Sequence, residues 1–372
     1  MKIGCPKEIK NNENRIGLTP NAVHAYVAAG HEVFIEKNGG LGSAITDEDF
    51  IAAGAKILPT AADVWATADM IVKVKEPLPS EYPLMRENQL LYTYLHLAAD
   101  EVLTKGCLDR KIIGVAYETV QIGRALPLLK PMSEVAGRMA SLMGAFYSAR
   151  THGGRGLLPM GVTGVAPAEV MVLGGGVVGT NAARVAAGLG AKVTILDVNL
   201  ERLEYLGEVM AANVLPLYSD PLAIEENLKK ADIVVGAILI PGAAAPKLVK
   251  KSHLKMMKPG AVLVDVAIDQ GGCFETSHAT THSEPIYEVD GIVHYCVANM
   301  PGAYSRTSTY ALNNATLAYG LQLANMGAEE ACRKNPALKL GLNVYKGKIT
   351  YEAVANAFPG MKNLYTPVDQ VL

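Results

Sequence analysis

Three ionisable residues in this chain each stand where an apolar, strand-like run stops. Lys75 closes "MIVKVKEP", His96 closes "LLYTYL", and Asp269 closes "AVLVDVAID" just before a flexible "QGG". In open α/β sheets, ligands bind outside the carboxyl ends of the strands, so residues at such ends are candidates for chemistry. Taken singly, each has an ordinary explanation: Lys75 a solvated strand end, His96 a satisfied core histidine, Asp269 a turn-former or cap. Together they could supply a cationic clamp and a proton shuttle for a small anionic substrate. Histidine, with an unperturbed pKa of roughly 6.5, suits a proton cycle near neutral pH.

A second constellation points to a cofactor. In "VMVLGGGVVGTNAARVAAGLGAKVTILD", Gly174, Gly176 and Gly179 form GxGxxG directly after a strand and at the start of a helix. The next strand ends in Asp197, 23 residues after Gly174. Gly174 permits the tight turn, Gly176 lets the backbone approach a pyrophosphate, and Gly179 lets the helix pack close to the strand. The helix N-terminus offers unpaired N–H groups and a positive dipole end to phosphates. Asp197 can accept bonds from both adenosine ribose hydroxyls and would repel a 2′-phosphate, which favours NAD. Arg202, five residues on, is a possible counterweight. "HATTH" (278–282) has two histidines at i,i+4 but lacks the glutamate of HExxH, so no metal site is expected. No GxSxG or P-loop lysine pattern is present, which disfavours hydrolase and kinase chemistry.

Something must hold these residues in place. Short β-branched runs alternate with helical patterns almost throughout, which implies parallel sheets with helical crossovers. Strands are expected at "KIGCP", 31–36, 70–75, 90–95 and 112–117, and then at 170–173, 192–196, 214–218, 232–239, 261–268 and 293–298. Between the two series, 132–150 reads as one long apolar helix with Ser133 as candidate N-cap, followed by a Gly/Pro-rich segment. The tail from about Arg306 is too short for a sheet of its own and is expected to return to the first domain. The fold class is therefore α/β, with two Rossmann-like, doubly wound parallel-sheet domains. The expected bounds are 1–128 plus 306–372 for the discontinuous substrate domain and 129–305 for the NAD-binding domain.

Composition agrees. The 372 residues are half hydrophobic and 19% charged, with 34 basic against 36 acidic side chains and a net charge of −2. That charge balance offers no patch for nucleic acid or an anionic membrane. Five scattered cysteines without CxxC spacing suit reduced thiols in the cytoplasm. The uncharged stretch 307–328 is broken by Asn and Gln and reads as a buried soluble helix.

"MKIGCPKEIKNNENRIGLTP", "KVKEP", "YTYLHLAAD", "LGGGVVGTNAA", "VAIDQGG" and "VHYCVANMPGAYSRTSTYALNNAT" together resemble the bacterial alanine dehydrogenase family, from the first residue into the C-terminal region. The resemblance implies reversible, NAD-dependent oxidative deamination of L-alanine to pyruvate and ammonium, by a cytoplasmic homohexamer. It implies substrate binding by Arg15 and Lys75, and acid–base work by His96 and Asp269. It also implies cofactor contacts at Ser133, Val178, Asp197, Arg202 and Ser219, at Ile238–Leu239, at Val266, Ala267, Ile268 and Asp269, and at Val297, Ala298, Asn299 and Met300. Some members bind magnesium through Glu and His on a late helix. The matching positions here are Gln322 and Met326, neither a good magnesium ligand. Two other readings stand beside this one: the related nucleotide-binding subunit of a proton-translocating transhydrogenase, and a non-catalytic NAD-binding sensor.

Overall fold

A computed structural model of the chain describes residues 1–238 and 245–372. The chain divides into two compact units, Met1–Met132 with Gly302–Leu372, and Ser133–Pro301. In the first unit the strands are β1 (Lys2–Cys5), β2 (Glu32–Glu36), β3 (Lys56–Leu58), β4 (Met70–Val72), β5 (Leu90–Thr93) and β6 (Ile113–Ala116). The second holds β7 (Glu169–Leu173), β8 (Lys192–Asp197), β9 (Val214–Tyr218), β10 (Ile233–Gly236), β11 (Val262–Asp265), β12 (Ile286–Val289) and β13 (Ile292–Tyr295). The tail adds β14 (Leu342–Tyr345) and β15 (Lys348–Ile349).

The strand orders are β15-β14-β6-β5-β4-β1-β2-β3 and β12-β13-β11-β10-β7-β8-β9. Counted within each unit, the six parallel strands run 3-2-1-4-5-6 in both sheets, the doubly wound order. Strands β12, β14 and β15 are antiparallel additions at sheet edges. The tail thus returns to the first sheet with two strands as well as helices, and the first unit is discontinuous.

The strands follow from their side chains. In the second unit, Val170 and Val172 of β7 join one core, while Met171 and Leu173 join another on the opposite face. Strands β10 and β11 alternate in the same way. Successive side chains point to opposite faces, so a run apolar at every position is buried on both sides. Pro216, which cannot donate to a ladder, lies in β9, an edge strand.

Helix bounds differ modestly from the sequence expectation. The long apolar helix runs Lys130–Tyr147, so Ser133 lies inside it and is not its cap. Pro131 explains the earlier start, since proline fits the first helical turn, where N–H groups have no intrahelical partner. The late helix runs Ser305–Met326 and buries Thr309, Asn313 and Thr316 against the rest of the first unit. Among the described residues, no helix is long and apolar enough to cross a membrane.

Candidate active site

In the first unit, the loops that follow β1, β4, β5 and β6 leave from the same edge of a parallel sheet. They carry Glu8, Glu13 and Arg15, then Lys73 and Lys75, then His96, then Glu118. The strands themselves stop short of the expected bounds: β4 ends at Val72 and β5 at Thr93, so Lys75 and His96 lie in the loops beyond. The same holds for Asp269, which falls in the turn Val266–Gln270 after β11.

Arg15 is buried and held side-on by Glu13. Nε donates to Oε1 at 2.7 Å and Nη2 to Oε2 at 2.6 Å, while Nη1 reaches Met132 Sδ at 3.0 Å. Burial works against the guanidinium's charge, but Glu13 more than restores it, and the pKa rises. The bidentate carboxylate grip expected for substrate is therefore made here with Glu13, which fixes the plane in which the guanidinium lies. The backbone around Arg15 is pinned from the late helix: Ile16 N donates to Thr309 Oγ1 at 3.2 Å and Thr19 N to Asn313 Oδ1 at 3.1 Å. Gly17 permits this course, because an added Cβ would lie 2.6 Å from the Val72 carbonyl oxygen.

Lys73, two residues before Lys75, is completely buried between Glu81 at 2.9 Å and Glu8 at 3.2 Å. Burial disfavours its ammonium, and the two carboxylates reverse that and push its pKa up. Glu8 Oε1 in turn accepts from Val74 N at 2.7 Å and Lys75 N at 3.2 Å, so this triad fixes the main chain that carries Lys75. Burial raises the Glu8 carboxyl against the lowering pull of Lys73.

His96 is exposed, which removes the core-histidine reading. Its backbone is left-handed at φ 50°, uncommon for a residue with a side chain. Glu118 holds it there: Oε1 accepts from His96 N at 2.6 Å, both oxygens lie near Leu95 N, and Nδ1 is 3.9 Å from Oε1. The ring lies parallel to that of Tyr94, with centroids 5.8 Å apart. Tyr94 is past the end of β5 and donates its hydroxyl to Leu128 O at 2.6 Å. Burial pushes that hydroxyl's pKa up.

In the second unit, the expected cofactor residues within the described chain gather at the carboxyl ends of strands, apart from Ser133 and Arg202, which lie on helices. Gly174 to Gly179 follow β7, Asp197 ends β8, Ser219 follows β9, Ile238 follows β10, residues 266–269 follow β11, and 297–300 follow β13. Leu239 lies outside the described residues. Gly174 has φ +99°, and an added Cβ at Gly179 would overlap Gly174 O, so both positions demand glycine. At Gly176 an added Cβ meets nothing within 4 Å, and this residue caps the helix Val177–Gly188 without any side-chain bond. Open space before the N–H groups of a helix start is the cradle a pyrophosphate fits. Ser133 lies on the helix that packs against this loop, since a Cβ at Gly137 would overlap Val178 O.

Asp197 and Arg202 clamp the glycine loop between them. Asp197 Oδ2 accepts from Gly175 N at 2.6 Å, while Arg202 donates to Gly175 O and Thr180 Oγ1, both at 2.6 Å. Ser219 N donates to Asp197 O at 2.9 Å, joining the end of β9 to the same group. Asn199 N donates to Asp197 Oδ1, also at 2.9 Å, so both carboxylate oxygens and the carbonyl of Asp197 are engaged.

Behind the turn 266–270, Asp265 is completely buried and accepts from Ala267 N, Cys273 N, Phe274 N and Ser277 Oγ. Burial raises its carboxyl, and those four donors pull it back. Asn299, at φ 62°, accepts through its carbonyl from His282 Nε2 at 3.2 Å. His278 stacks on Tyr287 at 3.6 Å, so the two histidines of "HATTH" take separate structural partners. Among the described residues no group of three or more His, Cys, Asp and Glu is placed to hold a metal. Gln322, on the late helix, uses its amide within the chain, on Ala318 O and Asn335 Nδ2.

Sequence reasoning missed Glu8, Glu13, Lys73, Glu81, Glu118 and Asp265. Two of them were visible in principle. Lys73 and Asp265 are lone charges inside otherwise apolar runs, and a charge buried there must be paired. Glu8, Glu13, Glu81 and Glu118 lie in loops, where an acid is unremarkable until its partner is known.

Two sheets in the 3-2-1-4-5-6 order, one with a glycine cradle and an acid at the end of its second strand, the other with cations and an exposed histidine, define a two-domain, nicotinamide-nucleotide-dependent oxidoreductase. The sequence profile of the alanine dehydrogenase/PNT N-terminal domain matches residues 4–136, and that of the C-terminal domain matches 140–352. The chain belongs to the alanine dehydrogenase/PNT family. It is 59% identical to an alanine dehydrogenase of Methanococcus maripaludis, over the whole of both chains. It is 56% identical to alanine dehydrogenase 2 of Staphylococcus aureus, over 96% of each. Among solved structures, an L-alanine dehydrogenase matches with a TM-score of 0.94 at 51% identity, covering 97% of this chain and 100% of that one. A transhydrogenase from Sinorhizobium meliloti matches with a TM-score of 0.81 at 26% identity, covering 95% and 100%.

Proposed function

We propose that the chain catalyses the reversible, NAD-dependent oxidative deamination of L-alanine to pyruvate and ammonium. The observation that carries this reading is the exposed, carboxylate-held His96 on the same sheet edge as Arg15 and Lys75. The full-length likeness to alanine dehydrogenases supports it. The nucleotide supplies a hydride acceptor for the Cα–H of alanine. Arg15, oriented by Glu13, binds the substrate carboxylate through charge-assisted bonds. Lys75 stabilises negative charge developing on the oxygen that becomes the pyruvate carbonyl. His96 takes a proton from the water that attacks the iminium carbon, then returns one to the departing nitrogen. Asp269, carried by the second unit, is the other acid–base group of this reading.

NAD is the proposed cofactor. A 2′-phosphate on the adenosine ribose would meet the Asp197 carboxylate. Arg202 donates from Nε to Gly175 O and from Nη2 to Thr180 Oγ1, which turns it toward the chain. We further propose a cytoplasmic homohexamer, in keeping with five free cysteines, all buried. The test is NADH formation with a panel of amino acids, run in parallel with NADP⁺. Turnover with L-alanine and NAD⁺, and a much lower kcat/KM with NADP⁺, is expected. Equal kcat/KM for the two cofactors would sink the role of Asp197. Hydride exchange between nucleotides without any amino-acid turnover would favour the transhydrogenase reading, whose solved relative is the more distant match.

A further inference from the structure

The carboxylate of Asp265 accepts from four donors, and nothing in the proposed chemistry uses it. It is 0% exposed, at the end of β11. Oδ1 accepts from Ala267 N at 3.1 Å, and Oδ2 accepts from Cys273 N at 2.8 Å, Phe274 N at 3.3 Å and Ser277 Oγ at 2.5 Å. These donors lie on both sides of Asp269 in the chain, so one side chain closes the turn that carries it into a ring. Gly272, at φ +80°, allows the approach, since an added Cβ there would lie 2.5 Å from Oδ2.

The ring is tied to a second segment. Ala245 N donates to Gln270 O at 3.1 Å, Leu248 N to Cys273 O at 2.9 Å, and Glu275 N to Val249 O at 2.8 Å. Lys247 Nζ adds bonds to the carbonyls of Gly271 and Phe274. Segment 245–249 and the loop after β11 are therefore one mechanical piece. That piece reaches the nucleotide cradle through the end of β10. An added Cβ at Gly236 would lie 3.0 Å from the Phe274 ring and 3.2 Å from Asp265 Oδ1, and one at Gly174 would lie 2.8 Å from Ala237 O. Holding the turn this way leaves Gln270 Oε1 buried and without a partner among the described residues.

We propose that Asp265 and Lys247 are positioning residues that fix the turn 266–270 for use of the bound nucleotide. This rests on the reading of that turn as a cofactor contact. A buried carboxyl group that accepts from four donors defines one geometry, whereas an amide in its place turns a donor toward N–H groups and cannot satisfy them all. Lys247 contributes from outside, on carbonyls that no helix or strand claims.

The experiment compares Asp265→Asn and Lys247→Met with the parent protein, by melting temperature, NADH fluorescence titration, and steady-state kinetics with alanine and with alanine deuterated at Cα. In both variants NADH affinity should fall about tenfold and kcat by up to about 10²-fold, the loss typical of a misplacement near 1 Å. KM for alanine should stay within about twofold, because alanine binding is untouched, and the deuterium isotope effect on kcat should rise as hydride transfer becomes limiting. A purely structural role would lower the melting temperature and leave the isotope effect and NADH affinity unchanged, and that result overturns the proposal. Should Asp265→Asn fail to fold, Lys247→Met alone decides between the two outcomes. If the parent protein binds NADH but shows no alanine turnover, the functional reading fails, and the titration still decides the positioning claim.

Discussion

At His96, two explanations that the sequence left open are separated by exposure and backbone geometry. A core histidine would be enclosed, whereas this one is exposed, with φ 50° imposed by Glu118. His96→Ala should therefore keep the fold and NADH binding, while turnover falls by about 10²–10⁴, the usual range for a lost acid–base group. A lowered melting temperature with near-parental turnover would refute the assignment. Glu13 behaves differently, because its partner is buried. Glu13→Ala removes the carboxylate that grips the buried Arg15 guanidinium and should destabilise the protein by about 3–5 kcal/mol, measurable by denaturant unfolding. Lys75, His96 and Asp269 stand out in the sequence because a polar residue closing an apolar run is a local pattern. The Glu13 grip on Arg15 was not, since two loop residues two positions apart reveal a pair only once burial removes water from around both.

At the scale of elements, the buried parallel strands were readable from unbroken apolar runs, and their ends were not. Expected strands overran into loops at Lys75, His96 and Asp269 because hydrophobicity continues past the point where ladder bonds stop. Strands β12, β14 and β15 escaped notice for another reason: they are short edge additions, and β12 is only half-buried, so no continuous apolar run marks them. Strand β13 carries a testable consequence. His294 is completely buried, its Nε2 at 2.8 Å from Thr276 Oγ1 and its Nδ1 at 3.0 Å from Ile292 O. Burial lowers its pKa below the ordinary histidine value. A histidine kept neutral in the fold but free to charge when unfolded adds stability that is full above about pH 6.5 and is lost as pH falls through the lowered value. The drop in melting temperature between about pH 7.5 and about pH 5.5 should therefore be smaller in His294→Gln than in the parent. An equal drop would show that other groups control acid stability.

At the scale of the whole molecule, the doubly wound class was legible from strand–helix alternation, and the return of the tail from its length. The proposed assembly is argued from surface composition. Leu142 and Phe146 are exposed at 39% and 50% on the long helix, and Leu158, Met160, Val162 and Val165 are exposed on the segment that follows it. Apolar exposure of this kind marks association surfaces. Light scattering should report a multiple of 39.4 kDa, and Phe146→Asp should shift it toward the single chain. A single chain at micromolar concentration before any substitution would refute the hexamer.

The discontinuous first unit also dictates an order of events during synthesis. Ile16 N finds its acceptor on Thr309, 293 residues downstream, and β6 pairs with β14, whose strand is translated near the end. Ser133–Pro301 is an uninterrupted stretch and can close as soon as it leaves the ribosome, as domains generally fold in units during translation. Until the late helix Ser305–Met326 arrives, the Arg15 loop has no Thr309 or Asn313 to anchor it. The unit Ser133–Pro301 can thus be finished while the first unit still waits for its closing segment, so late in synthesis the nascent chain carries one closed unit and one open one.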